Sequence, residues 1–199
     1  MHIKTIPKND LPQVIEVHKD SFKGFFLTEL GDRFLASYYN SVRKDEKGVL
    51  LGYYDGGELA GFCAATTLSK DFNTQLIKNN LFRFSLIGVR LLFTRIPSLI
   101  RLFKNFSKKS ATISDSGDYA ELLSIGVSDK KQGQGIGKQL LIQLEKEMQL
   151  KGCSKLSLTT DYYNNDKAIG FYKGLGYEIY YDFVTFPNRK MYRMIKKIN

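Results

Sequence analysis

KKQGQGIGKQLL, residues 130–141, decides how this chain is read. Three glycines alternate at Gly133, Gly135 and Gly137, between the hydrophobic run ELLSIGV (121–127) and a strongly amphipathic segment. Glycine weakens helix and strand alike, so three of them at such a junction mark a backbone that comes close to something. The first N–H groups of a helix have no internal partner and lie at the positive end of its dipole. Glycines there let an anion approach without interference from Cβ. The loop therefore reads as a diphosphate cradle, with a plain turn before a flexible helix start as the alternative. Two familiar phosphate loops do not fit. Gly137-Lys138 is followed by Gln139, where a Walker loop needs Ser or Thr. A dinucleotide fingerprint carries its third glycine one residue later and belongs to a first βαβ unit. The spacing that fits is Gln-x-x-Gly-x-Gly, at Gln132, Gly135 and Gly137.

Outward from the loop the elements alternate. YAELLSIGV (119–127) predicts a strand, and a helix follows from about Gly137 to Lys151, with Leu140, Leu141, Leu144 and Met148 on its apolar face and Gly152 as its stop. KLSLTT predicts a strand, NDKAIGFYKGLG a short glycine-capped helix, and YEIYYDF with KMYRMI a closing pair of strands. Towards the N-terminus, IKTI predicts a strand. Asp10 with Gln13 three residues on predicts a capped helix with Leu11, Val14, Ile15, His18 and Phe22 on one side. A second helix carries Leu30, Phe34, Leu35, Tyr38 and Val42, and Asp55-Gly56-Gly57 joins a hairpin.

The 199 residues suit one domain, 1–199, without repeat or linker. Hydrophobic residues at 43% and charged residues at 25% are an ordinary globular balance. A net charge of +10 favours anionic partners, yet the basic residues are dispersed and no nucleic-acid recognition motif is present. Cys63 and Cys153 match no metal spacing and are read as reduced thiols, so a cytoplasmic location and no metal are expected. Neither a secretory h-region nor an apolar run long enough to span a bilayer is seen.

LLSIGVSDKKQGQGIGKQLL followed by NNDKAIGFYKGLGYE resembles the GNAT superfamily of acetyl-CoA-dependent N-acetyltransferases. The first stretch matches that family's central strand, diphosphate loop and helix. The second matches its later Asn-x-x-Ala, Phe-Tyr and Gly-Tyr signature. The resemblance implies an α/β fold with a mixed, mostly antiparallel central sheet flanked by helices, and acetyl-CoA as acetyl donor. It also implies that the backbone of Ile125, Gly126 and Val127 pairs with the pantetheine arm, beside a strand bulge that Gly126 would ease. Gln132, Gly133, Gln134, Gly135, Ile136 and Gly137 would hold the diphosphate, with charge added by Lys138 and Lys131. Asn165 aligns with the family asparagine that touches the cofactor arm, while Asn164 is read as a helix cap. Tyr172 matches the tyrosine near the thioester sulfur, where a phenol protonates the leaving thiolate.

For the general base, Glu121 lies two and four residues before Leu123 and Ile125 and is expected on their face. Relatives keep a carboxylate on this strand, so Glu121 ranks first and Asp161, across the cleft, second. Both are also readable as substrate-cation binders or edge charges. His18 is read as a structural residue, and Phe22, Phe25 and Phe26 as cleft wall or core.

Residues 70–118 depart from the minimal family pattern, with two basic amphipathic helices expected on either side of Pro97. A lid over the acceptor pocket, a homodimer contact, peripheral membrane contact through the helices of 81–106, and extra core all stay open. The activity expected is acetyl transfer to a primary amine of a small molecule, such as an amino sugar or nucleotide-linked sugar, by direct attack in a ternary complex. Protein or peptide acetylation and a non-catalytic CoA sensor are the alternatives.

Overall fold

The computed structural model describes residues 2–70, 72, 75, 115–185 and 188–198. Seven strands form one sheet in the order β1-β2-β3-β4-β5-β7-β6. They are β1 (His2–Thr5), β2 (Gly48–Asp55), β3 (Glu58–Thr66), β4 (Ala120–Val127), β5 (Lys155–Asp161), β6 (Glu178–Thr185) and β7 (Arg189–Lys197). Every neighbouring pair is antiparallel except β4–β5. One face is covered by α1 (Leu11–Ser21) and α3 (Asp32–Lys44), joined through the short α2 (Phe26–Glu29). The other is covered by α4 (Ile136–Leu150), and α5 (Asp166–Lys173) follows β5.

Periodicity explains these helices. Leu140, Leu141, Leu144 and Met148 are fully buried, as 3.6-residue spacing demands, and each contributes roughly 1.5–3 kcal/mol on burial. On the opposite face Val14, Leu35, Tyr39 and Val42 are equally buried against Phe62 and Ala64 of β3. The β2–β3 turn uses Gly56 (φ 60°) and Gly57 (φ 90°), a left-handed pair that suits a two-residue hairpin. The expected capping box at α1 does not form. Asp10 instead accepts the Tyr54 hydroxyl at 2.6 Å, and Gln13 accepts the Leu59 N–H at 2.9 Å, so both side chains tie α1 to the hairpin.

Two irregularities in β4 shape the centre of the molecule. Its register with β3 slips between Ala64 and Ala65, which pair with Ser124 and Leu122 and leave Leu123 as the extra residue of a bulge. Its parallel pairing with β5 covers only Ala120, Glu121 and Leu122. Beyond Leu122 the strands part, and a cleft opens between them. The bulge lies three residues before Gly126, which pairs with Phe62. Gly126 answers to crowding: a Cβ there would stand 2.8 Å from Ser21 Oγ of α1.

The 70–118 segment leaves and re-enters through a paired stem. Ser69 N–H donates to the Tyr119 carbonyl at 2.8 Å and Lys70 N–H to the Gly117 carbonyl at 3.2 Å. Most of that segment, including the expected helices of 81–106 and with them the lid, dimer and membrane readings, lies outside the described residues. No described helix is long and apolar enough to cross a membrane.

Candidate active site

The cleft between β4 and β5 widens into a cavity of about 460 Å³. Its walls come from α1 and the α1–α2 connection (His18, Ser21, Phe22, Phe25), the bulge of β4 (Leu122 to Ile125), the end of β5 (Leu158 to Asp161), α5 (Asn165, Tyr172) and β7 (Arg189, Met191). The glycine loop stands at one end of β4. Gly133 and Gly135 have φ of 77° and 76°, the left-handed conformation that other residues adopt only at a cost. Gly135 is the cap residue of α4, which starts with no side-chain cap and no acidic residue in its first turn. The N–H groups of Ile136, Gly137 and Lys138 are thus left for an anion. Ile136 is buried and pins this end of α4 to the core, while Lys138 is exposed. Gln134 is exposed, and the Gln132 amide donates to Asp129 at 3.0 Å. Lys131 is engaged elsewhere, 2.8 Å from Asp55 in the hairpin turn.

Of the expected cofactor-arm residues, Ile125, Asn165 and Tyr172 line the cavity, whereas Gly126 and Val127 are not among its walls. The Val127 carbonyl accepts the Ser21 hydroxyl at 3.1 Å. The Asn165 amide donates to Thr160 Oγ1 at 2.6 Å, tying the start of α5 to the end of β5. Asn165, not Asn164, holds the cap position of α5, and Asn164 adopts a left-handed φ of 55°. Tyr172 is half-buried against the α4 side of the sheet and lines the cavity, and its hydroxyl has no hydrogen-bond partner among the described residues. Burial pushes its phenol up to about 12, so it holds its proton across the neutral range.

The two carboxylates part company. Asp161 lines the cavity and is gripped by Arg189, whose Nη2 donates to Oδ2 at 2.6 Å while Nε donates to Oδ1. Arg189 also lies 5.0 Å from the Phe25 ring centre, so this pair links β7 to the α1–α2 connection. Glu121 does not line the cavity. It is buried, with one oxygen 2.6 Å from Arg193 Nη1 and the other accepting the Ser69 hydroxyl. The expected shared face of Glu121, Leu123 and Ile125 fails at the bulge. Alternation restarts after Leu123, so Ser124 faces Tyr39 on the α1–α3 side while Ile125 packs on the α4 side.

The family model described as acetyltransferase (GNAT) family matches residues 11–177. The chain belongs to the GNAT acetyltransferase family. Solved structures agree in fold. The ribosomal-protein-S18-alanine N-acetyltransferase of Escherichia coli is 17% identical, with 100% of this chain and 94% of that chain covered and a TM-score of 0.63. The paia N-acetyltransferase of Thermoplasma acidophilum, solved with coenzyme A, is 19% identical, with 98% of each chain covered and a TM-score of 0.55. Aminoglycoside 6'-acetyltransferase type Ii is 19% identical, with 100% and 98% covered and a TM-score of 0.63. The chain is thus an acetyl-CoA-dependent N-acetyltransferase.

Glu121 of this acetyltransferase holds one end of a buried charge pair, which sets its expected behaviour. Glu121→Gln keeps an acceptor for Arg193 but removes its negative charge and leaves the buried guanidinium undercompensated, at about 2 kcal/mol. A urea midpoint measured beside kcat checks this: stability falls and kcat changes less than about tenfold. A base at this position would lose about 100-fold or more with stability intact.

His18, expected to be structural, is buried and also lines the cavity, with Nδ1 2.7 Å from the Tyr39 hydroxyl. Burial lowers its imidazole to about 4, against 6.5 in the unfolded chain. Below pH 6.5 the unfolded state binds a proton that the folded state refuses, so stability falls with acidification from 6.5 towards 4. The loss reaches about 2 kcal/mol at pH 5. Urea midpoints at pH 7 and 5 measure it, and His18→Gln should flatten that part of the curve. Ser124 and Arg189 carried no signal in the sequence. A serine inside a hydrophobic run and an arginine after a turn become cavity residues only once β4 bulges and β7 pairs with β5.

Among the described residues, no group of three or more His, Cys, Asp or Glu side chains is placed to share a metal ion. Cys63 and Cys153 are free thiols.

Proposed function

We propose that this single-domain acetyltransferase moves the acetyl group of acetyl-CoA to a primary amine of a small molecule, by direct attack in a ternary complex. One observation carries the donor side: the uncapped start of α4, with Gly133 and Gly135 left-handed, stands beside a cleft where β4 keeps its pairing with β3 but has parted from β5. In this reading Gln132 to Lys138 hold the diphosphate. The backbone of Ile125, Gly126 and Val127 takes the pantetheine arm, and Asn165 touches that arm from α5. Tyr172 protonates the departing sulfur, a role that a phenol held protonated by burial can fill.

The acceptor side rests on the shape and lining of the cavity. Its size suits a small molecule. Phe22, Phe25 and Met191 give apolar walls, and the Asp161–Arg189 pair gives a polar patch with little net charge. We assign Asp161 to this patch, where it orients the acceptor, and not to proton removal, because Arg189 occupies both its oxygens. Phe22 and Phe25 thus fill the wall role, whereas the Phe26 side chain lies outside the description.

The fold relatives include a ribosomal-protein-S18-alanine N-acetyltransferase and an aminoglycoside 6'-acetyltransferase, so the fold alone does not choose the acceptor class. The test is CoA release from acetyl-CoA with matched acceptors: arylalkyl amines, amino sugars and peptides with a free N-terminus. Turnover with small amines and none with peptides supports the reading. Turnover with peptides alone replaces it by protein acetylation.

A further inference from the structure

Four hydrogen bonds lead from the cleft into the core between α1, α3 and the sheet. Ser124 Oγ lies 3.1 Å from the Tyr39 hydroxyl, and that hydroxyl lies 2.7 Å from His18 Nδ1. His18 Nε2 lies 3.2 Å from Thr28 Oγ1, which in turn donates to the Phe22 carbonyl at 2.6 Å. The carbonyl can only accept, and this fixes the sense of the whole chain. Thr28 commits its one proton to Phe22, so it accepts from His18, which carries its proton on Nε2. Nδ1 of the neutral ring then accepts from Tyr39. Tyr39, with its one proton spent, accepts from Ser124. Ser124 lines the cavity, and only its lone pairs remain for a group bound there.

We propose that Ser124, Tyr39 and His18 form a directed proton relay, in which Ser124 Oγ takes the proton of the acceptor amine and His18 Nδ1 is its final holder. This rests on the acetyl-transfer reading above. Among the described residues, the titratable groups that line the cavity are His18, Asp161, Tyr172 and Arg189. Asp161 is bound by Arg189, so among these described groups the imidazole is the base left. Both its ring nitrogens are hydrogen-bonded to hydroxyls, and Nδ1 is reached from the cleft through Tyr39 and Ser124. Tyr39 is fully buried and its phenol is pushed upward by that burial, so it passes protons as a phenol and does not rest as a phenolate. The depressed His18 keeps the relay in its accepting sense at neutral pH and releases the proton again after each turnover.

The step balances. The neutral amine forms its C–N bond to the thioester carbonyl, and the C–S bond breaks. One amine proton moves to Ser124 Oγ while the serine proton moves to Tyr39 and the tyrosine proton to His18 Nδ1. The imidazolium formed keeps its Nε2–H on Thr28. The sulfur takes the Tyr172 proton, and His18 and Tyr172 then exchange with solvent to restore both groups. Ser124 touches the substrate, and Tyr39 and His18 act through it.

The test uses phenethylamine as acceptor, chosen for the apolar walls, with Ser124→Ala, Tyr39→Phe and the double variant, and calorimetry with acetyl-CoA on each. Each single variant is expected to lose about 100-fold in kcat with acetyl-CoA affinity within about twofold. The double variant should be no worse than either single one, because one chain is cut twice. The wild-type rate in mixed light and heavy water should curve with deuterium content and become linear in Tyr39→Phe, a change that a merely structural tyrosine would not produce. Nitrogen NMR of His18, which needs no acceptor, should show the Nε2–H form at pH 7. A Nδ1–H form overturns the relay, as does kcat within about threefold of wild type in both single variants. If Tyr39→Phe does not fold, Ser124→Ala alone decides. Wild-type protein that does not bind acetyl-CoA sinks the acetyl-transfer reading itself, whereas intact variants with unchanged kcat sink only the relay.

Discussion

Gly135→Glu is expected to weaken acetyl-CoA binding by about 1,000-fold while the protein stays folded. Gly135 sits at the cap of α4 with φ 76°, and a Cβ there would meet nothing within 4 Å. The cost to the fold is therefore conformational, about 1–2 kcal/mol for a left-handed residue with a side chain. Part of that returns, because a carboxylate at a helix N-terminus is favourable by about 0.3–1 kcal/mol. The same carboxylate, however, satisfies the N–H groups of Ile136, Gly137 and Lys138 from within and opposes the charge of a diphosphate. Losing two charge-assisted hydrogen bonds, at about 1.5–3 kcal/mol each, gives the thousandfold loss. Gly135→Ala separates the two effects. It keeps the strain without the charge and should lose only about tenfold. Calorimetric titration with acetyl-CoA measures all three proteins, and Gly135→Glu binding within about threefold of wild type would show that the anion sits elsewhere.

Tyr172→Phe should lower kcat by about 100- to 1,000-fold with acetyl-CoA affinity within about twofold, the range expected when a general acid is removed. The ring packs edge-on to Tyr177, with centroids 6.0 Å apart, and phenylalanine keeps that contact. The hydroxyl has no described partner to strand, so stability should change little. The pH dependence follows from the same burial. An acid must be protonated to act, and Tyr172 is held up to about 12, so no basic fall in kcat assigned to it should begin below about pH 11. A pre-steady-state and steady-state comparison at pH 7 and 9.5 checks this. Unchanged turnover in Tyr172→Phe would leave the residue as part of the core cluster that it touches.

The bonds that give Glu121 and Ser124 their surroundings span long stretches of chain. Glu121 meets Arg193 across 72 residues, and Tyr39 meets Ser124 across 85. No window of sequence contains both members of either pair. The expectation for Glu121 came from strict two-residue alternation, which is sound only for an unbroken strand. One extra residue at Leu123 puts Ile125 on the opposite face from Leu123, and nothing in LLSIGV marks where that residue will fall. The capping box at Asp10 failed for a related reason: local chemistry was right for a cap, but Tyr54 from the hairpin offered a partner that the isolated helix lacks.

Much of the rest was determined by local chemistry alone. The turn at Gly56-Gly57, the left-handed Gly133 and Gly135, the apolar face of α4 and the order of the elements follow from φ preferences and periodicity, which act over a few residues and hold in any tertiary setting. The loop motif and the Asn165 to Tyr172 signature belong to the same class, since each lies on one continuous stretch. Tertiary structure decided which polar groups face the cleft. Pairing with β3 and β5 held Glu121 within the sheet beside Arg193, and the bulge beyond it brought Ser124 to the cavity wall; the β5–β7 pairing set Arg189 on Asp161; and the packing of α1 on α3 joined His18 to Tyr39. Partner choice among buried polar groups is settled by which desolvated atoms come within about 3 Å of each other, and only the folded chain sets those distances.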